Sequence, residues 1–311
     1  MSGVALVRNQ HSTRNLRSAA GVPVPAGVRL IDCGALDDLS DSLVAAHAAG
    51  VAVILIDGGD GTVREVLSRL PEIWGGALPR IGILPRGNTN LIAREVGGLQ
   101  SENAVAEVLR RLDAGPPLSE RRRAMLRLEY PAAEHPTLRG FMMGWGAYAE
   151  GIRIAHQEIA ARGSGQVALA VLSMLRRTLF GAGRAVLRRG VAAGISIDGG
   201  PVTAAARLLG MATTLQQPLI AGMNPFWGTG PGRIRWLDIH APGQRLALAA
   251  PFLALGRPRP WMAGAGYASG RADRIELNLD TPFIMDGEAF PPASSGPMIL
   301  SASEEISFIS L

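Results

Sequence analysis

The chain has 311 residues, 47% of them hydrophobic and 18% charged, with a formal net charge of +5. That length predicts two domains, and the apolar share is ample for globular packing. A single cysteine, Cys33, excludes an intrachain disulfide and fits a reducing compartment.

No stretch reaches about 18 uninterrupted apolar residues, so no bilayer span is predicted. The opening MSGVALVRNQ lacks the charged and apolar regions of a secretory signal, and a cytoplasmic location is expected. The five histidines are scattered, without zinc-like spacing. All 31 cationic side chains are arginine. A lysine Schiff base and the lysine of a P-loop are therefore excluded. Any phosphate must be held by arginine, backbone N–H groups or a metal. The basic balance suggests a nucleic acid or an anionic membrane surface. With only 5% aromatics and no basic-aromatic interleaving, no nucleic-acid partner is expected.

In chain order, GVALV (3–7) and VRLIDC (28–33) read as short strands. LDDLSDSLVAAHAAG is an amphipathic helix ending at Gly50. VAVILI (51–56) is a continuous apolar strand, buried on both faces. TVREVLSRL is predicted to be helical and to stop at Pro71. RIGILP (80–85) is a second buried strand, followed by the helices TNLIAREVG and SENAVAEVLRRLDAG. Such alternation argues for a parallel sheet covered by helices over residues 1–117. After GPP (115–117) the segments become strand-like, among them RRRAMLRLEY, LRGFMMGWG, GISIDGGPVTA, RIRWLDIHA, RIELNLD and EISFISL. DGG (198–200) and MDGE (285–288) are hairpin signals. One helical stretch, about 153–188, interrupts this β-rich domain of residues 118–311, whose last residues are open to packing back on the first.

Two glycine-containing corners carry the chemistry. GGDGT (58–62) leaves the carboxyl end of one buried strand and enters a helix; RGNTN (86–90) does the same after the next. Ligands of open α/β sheets bind outside the carboxyl ends of the strands, and helix N-termini suit phosphate. A carboxylate beside phosphate binds a cation or handles a proton, so Asp60 suggests Mg²⁺ or general-base work. The plainer reading is a tight left-handed turn with Asp60 as a helix cap.

GGDGT after an apolar strand, Glu65 following, and LPRGNTNLIAR one strand later resemble the diacylglycerol kinase catalytic family. That family includes bacterial lipid kinases, sphingosine kinases and ceramide kinases. NQHSTRN (9–15), FMMGWGAYAEG (141–151) and FIMDGEAF (283–290) resemble its other segments, in the same order. GGDGT alone is less specific, since NAD kinases and phosphofructokinases carry close variants.

The resemblance implies an α/β domain of the phosphofructokinase/NAD-kinase-like kind with a parallel sheet, followed by a β-sandwich-like domain. It implies ATP-dependent phosphorylation of a lipid hydroxyl, of diacylglycerol or ceramide/sphingoid type, with Mg²⁺. Asn9, Ser12 and Thr62 would contact the nucleotide or its phosphates. Gly58, Gly59, Gly61, Gly87 and Asn90, with Glu65, Asn88 and Thr89, would complete the cofactor site. Asp60 would position phosphate and metal, Asp286 would be the base, and Glu288 would reach in beside it; the choice of base between Asp60 and Asp286 stays open.

The chain departs from the family pattern at Asn88, in place of a threonine, at Leu91, in place of an acid, and at Arg64, in place of an asparagine. These departures change the residues that the resemblance would give to the Mg²⁺ network. Arg64 would contact phosphate or pair with an acid. At GTGPGRI (228–234), Pro231 replaces an acid, and the family's structural metal is not expected there. The arginines of 152–189 surround an apolar strip and suggest a helix on an anionic membrane, with peripheral association; a basic solvated face over the β-domain is the plainer reading. A soluble-substrate kinase of NAD-kinase type and a catalytically weak nucleotide-binding regulator are the alternatives. A homodimer is left open.

Overall fold

A computed structural model describes residues 3–10, 12, 22–33, 36–87, 90–101, 103–152, 188–217 and 222–311. The chain divides into two compact units, Met1–Ala124 with Glu304–Leu311, and Met125–Ser303.

The first unit begins with β1 (Val4–Arg8), β2 (Arg29–Asp32), helix α1 (Leu36–Ala48) and β3 (Val53–Gly58). Helix α2 (Asp60–Trp74), β4 (Arg80–Pro85), α3 (Leu91–Val96) and α4 (Ala104–Ala114) follow. The strands lie in the order β4-β3-β1-β2, every pair parallel. β3 is buried along its whole length, because a parallel sheet covered by helices leaves neither face wet.

Helix α2 does not stop at Pro71 as its sequence suggests. It runs through Pro71 to Trp74. Leu70 and Trp74 are buried, the Trp74 indole N–H donates to Val51 O at 3.4 Å, and its ring lies 4.9 Å from that of His47. Burying a tryptophan offsets the hydrogen bond that proline cannot donate.

The expected boundary at 117 falls just before β5 (Ser119–Glu129), which runs unbroken from one unit into the other. Its first residues are tied into the first unit. Glu120 accepts from Ser307 Oγ at 2.7 Å and pairs with Arg80 at 3.6 Å, while Arg123 Nε meets the buried Glu95 at 2.5 Å.

The second unit contains β6 (Leu138–Gly140), β7 (Met142–Gly146), β8 (Val191–Ile197), β9 (Thr203–Thr213) and β10 (Ile234–His240). Helices α5 (Leu246–Ala254) and α6 (Pro260–Gly264) precede β11 (Tyr267–Ala272), β12 (Arg274–Leu279), β13 (Phe283–Met285) and β14 (Glu288–Phe290). The last strand, β15 (Met298–Ser310), starts in this unit and ends in the first. The pairings within the unit are antiparallel. Its core joins Met143, Trp145, Ile275, Leu277, Phe283, Met285 and Leu300.

Both hairpin signals close two-strand turns. Asp198 and Gly199 have φ of 47° and 74°, Asp286 and Gly287 47° and 90°, the left-handed pair that an Asp-Gly hairpin requires. The helix expected over 153–188 lies outside the described residues except at its final residue, Arg188.

The far end of β15 returns to the first unit, where Phe308 pairs with Ile81 in parallel and is fully buried. Phe308→Ala is expected to lower the unfolding free energy by about 3–5 kcal/mol, read by urea denaturation. An unshifted midpoint would mean that this strand contributes no core.

Candidate active site

At the carboxyl ends of β1, β3 and β4, the parallel register places Arg8 opposite Asp57 and Gly58 opposite Pro85. The pairing continues past the strand ends. Asn9 N donates to Asp57 O at 3.1 Å and Arg86 N to Gly58 O at 2.9 Å. The Asn9 side-chain amide donates to Thr62 Oγ1 at 2.8 Å. Three sequence-distant segments thus meet around GGDGT.

The glycines here serve close approach rather than positive φ. Gly59 is extended, with φ −91° and ψ −178°. A Cβ on it would lie 3.0 Å from Gly87 Cα, and one on Gly87 would lie 2.8 Å from Gly59 Cα. The two loops touch backbone to backbone, and the left-handed turn suggested by the sequence is absent. Gly61 differs: nothing lies within 4 Å of its would-be Cβ.

Asp60 joins the loops chemically. Its Oδ2 accepts from Leu91 N at 3.0 Å and its Oδ1 from Ile92 N at 3.1 Å. The first residue of α2 therefore caps the first turn of α3. Burial raises its pKa from the ordinary carboxylate value, opposed by hydrogen bonds from the amides of Leu91, Ile92 and Asn90. Asn90 closes its own loop, accepting from Gly87 N at 2.8 Å and donating to Gly87 O at 2.7 Å. Its φ of 48° and ψ of 44° put it in the left-handed region, which asparagine tolerates better than most residues. Asn88 and Thr89 lie outside the described residues.

Glu65 and Arg64, side by side on α2, pair with each other. Glu65 also pairs, at 2.6 Å, with Arg69. Burial would raise its pKa, but hydrogen bonds and charge from the two arginines hold it below the usual carboxylate value. Arg64 thus pairs with an acid, one of the two partners its position allowed.

Sequence reasoning missed Asp57. Its carboxylate is fully buried and accepts from Arg8 Nε at 3.1 Å and Arg86 Nε at 3.1 Å. Arg8 also donates to Val22 O. A buried carboxylate between two guanidinium groups fixes both at the rim of the glycine loops. The available signal was an acid at the end of an apolar run, since a buried charge must be paired.

In the second unit, Asp286 sits in the β13–β14 turn and reaches the junction of β6 and β7. Its Oδ2 accepts from Phe141 N at 2.9 Å and its Oδ1 from Met142 N at 2.8 Å, while its own N–H donates to Met142 O at 2.9 Å. A Cβ on Gly140 would lie 2.6 Å from Asp286 Oδ2, so the carboxylate requires a glycine there. Phe141 O accepts from Thr213 Oγ1 at 2.7 Å. The half-buried Tyr148 donates to Met142 Sδ at 3.2 Å; burial and the nearby Asp286 charge push its pKa up. Glu288 is exposed on β14.

Residues 8–116 match the family described as diacylglycerol kinase catalytic domain. The chain contains that domain. A probable lipid kinase YegS from Escherichia fergusonii is 44% identical over 52 residues, 17% of each chain; its counterpart from Shigella flexneri matches to the same extent. The aligned part thus spans about a sixth of these curated relatives. A putative diacylglycerol kinase from Bacillus anthracis str. Sterne is 16% identical at a TM-score of 0.66, covering 99% of this chain and 96% of that one. A second structure, titled a diacylglycerol kinase from the same strain, gives 14% and 0.63 over the same coverage. The fold is the mixed α/β fold of these bacterial structures.

The catalytic domain's residues fit a nucleotide's phosphates. Helix α2 begins without a side-chain cap, Gly61 faces open space, and Ser12 Oγ is buried with no partner among the described residues. Among the described residues no all-protein Mg²⁺ cage is built: no three His, Cys, Asp or Glu side chains gather into a metal site, and both Asp60 oxygens accept amide hydrogens.

Replacing one oxygen of Asp57 tests the buried pair. Asp57→Asn is expected to cost about 3–5 kcal/mol of stability, the usual loss when one partner of a buried ion pair is removed, read by thermal and urea denaturation. A loss under about 1 kcal/mol would place the arginines in the range of exposed pairs.

Proposed function

We propose that this protein transfers the γ-phosphoryl group of ATP to the hydroxyl of a lipid. The observation that carries this reading is the contact of two loops from adjacent parallel strands at Gly59 and Gly87, beside an uncapped helix N-terminus. Family membership of residues 8–116 supports phosphoryl transfer, and the names of the relatives support a lipid acceptor.

In this reading the free amides at the start of α2 bind the phosphates, where the helix dipole favours negative charge. Asn9 holds Thr62 in place, and Arg8 and Arg86, braced by Asp57, supply positive charge at the rim. Asp60 is a positioning residue: its carboxylate holds the start of α3. Magnesium, which neutralises phosphate charge, would arrive with the nucleotide. Asp286, whose oxygens are oriented by the amides of Phe141 and Met142, takes the proton of the acceptor hydroxyl. Phosphoryl transfer asks the protein mainly for alignment, charge and one placed base.

A radiolabelled ATP assay over diacylglycerol, ceramide, a sphingoid base and NAD tests the class. Label in one of the lipids is expected; label only in NAD, or ATP binding with no transfer at all, would contradict it. Gly61→Ala tests the phosphate cradle. A methyl there meets no protein atom, and alanine is the better helix former by about 0.5–1 kcal/mol, so the fold should be kept or strengthened. ATP affinity should nonetheless fall by roughly tenfold or more, about 1.4 kcal/mol; unchanged affinity would put the phosphates elsewhere. Asp286→Asn should lower turnover by roughly 10²–10⁴ with ATP affinity unchanged, and near-normal turnover would remove it from the reaction.

A further inference from the structure

Strands β10 and β11 are antiparallel neighbours, with Ile239 opposite Tyr267. Such a pair needs a connection of about two to five residues. Here the chain makes a far longer excursion, carrying α5 and α6, and no acidic residue occurs between Asp238 and Asp273. Its base is well anchored. His240 N donates to Gly266 O at 2.8 Å and Tyr267 Oη to Gln244 O at 2.7 Å. Asn224 N donates to Ala254 O at 2.8 Å, and Met262 is buried.

Helix α5, LALAAPFLA, has no charged residue. Only Leu246 and Ala249 are buried. At helical spacing Leu248, Pro251 and Leu255 fall on the opposite side, and all three are exposed, Leu248 at 55% and Leu255 at 62%. An exposed helix face normally carries charged or polar residues, and a helix apolar on every side is one that something covers. Exposed arginines flank this face. Arg259 lies over the Phe252 ring at 4.5 Å and Arg245 over the Trp261 ring at 5.7 Å; Arg257 is the third. Gly190, where the arginine-rich 152–189 stretch ends, abuts the start of the excursion: a Cβ on it would lie 2.8 Å from Ala241 Cβ.

We propose that α5 and its arginine rim are a membrane-docking element, which lays Leu248, Pro251 and Leu255 into the headgroup–acyl boundary of an anionic bilayer. The inference rests on the lipid-kinase reading for its purpose, not for its geometry. The helix has nine residues, about 14 Å, and cannot cross a core of about 30 Å. An apolar stripe with flanking arginines is the composition that lies in the interface plane. Positive charge with no acid among it complements anionic lipid headgroups, and tryptophan beside arginine suits the same depth.

The test is vesicle co-sedimentation of the full chain with phosphatidylglycerol-containing and pure phosphatidylcholine vesicles, at low and high salt. Wild type should bind the anionic vesicles, less so at high salt. The Leu248→Ser/Leu255→Ser variant should bind at least about tenfold more weakly, with melting temperature and transfer to a short-chain soluble acceptor unchanged. Gln at Arg245, Arg257 and Arg259 should weaken binding about fivefold per residue at low salt. Wild type that ignores anionic vesicles, or a serine variant that binds like wild type, would overturn the proposal. A serine variant with a lowered melting temperature would show the face covered by the protein itself, and one that lost only self-association would show a second copy covering it; both overturn it as well. If docking behaves as expected while no lipid is phosphorylated, the docking element stands and the lipid-kinase reading falls.

Discussion

The two hydrogen bonds from the Leu91 and Ile92 amides to Asp60 hold the first unit's functional end together. One carboxylate at the start of α2 satisfies amides at the start of α3, and so locks together loops that arise from neighbouring strands. The backbone contact of Gly59 with Gly87 depends on that lock. A side chain at either glycine would push the loops apart, and loss of the carboxylate would leave two N–H groups without their acceptor, at a cost of about 1–3 kcal/mol where such groups are buried. Family resemblance assigns Asp60 to metal and phosphate. The geometry gives it a structural task that precedes both.

The second unit uses the same device. Asp286 stands in a left-handed turn position and grips the amides of Phe141 and Met142, while Phe141 O is held by Thr213. The hairpin that MDGE signals is there and Glu288 is exposed, but the Asp286 carboxylate is tied to a strand junction. Backbone amides hold a carboxylate's direction without adding a competing charge, the orientation that the base role proposed for Asp286 asks for.

Much of this was legible in the residues. Continuous apolar runs marked β3 and β4, and glycine with aspartate marked the corners that follow them. What glycine was for could not be read: a residue without a side chain serves positive φ and close approach equally, and Gly59 has the second role. Pro71 misled because the burial of Trp74 outweighs a local breaking signal. Asp57 was hidden at the end of an apolar run, since its arginine partners lie 49 and 29 positions away. The excursion between β10 and β11 escaped notice because LALAAPFLA reads as ordinary core, and composition alone does not reveal that its outer face is bare.

Amide hydrogen exchange at Leu91 and Ile92 tests the central claim most directly, compared between wild type and Asp60→Asn. Slow exchange at both amides in wild type, with loss of protection in the variant while the β3 amides stay protected, is the predicted result. Equal protection at Leu91 and Ile92 in both proteins would contradict the claim that Asp60 fastens the two glycine loops.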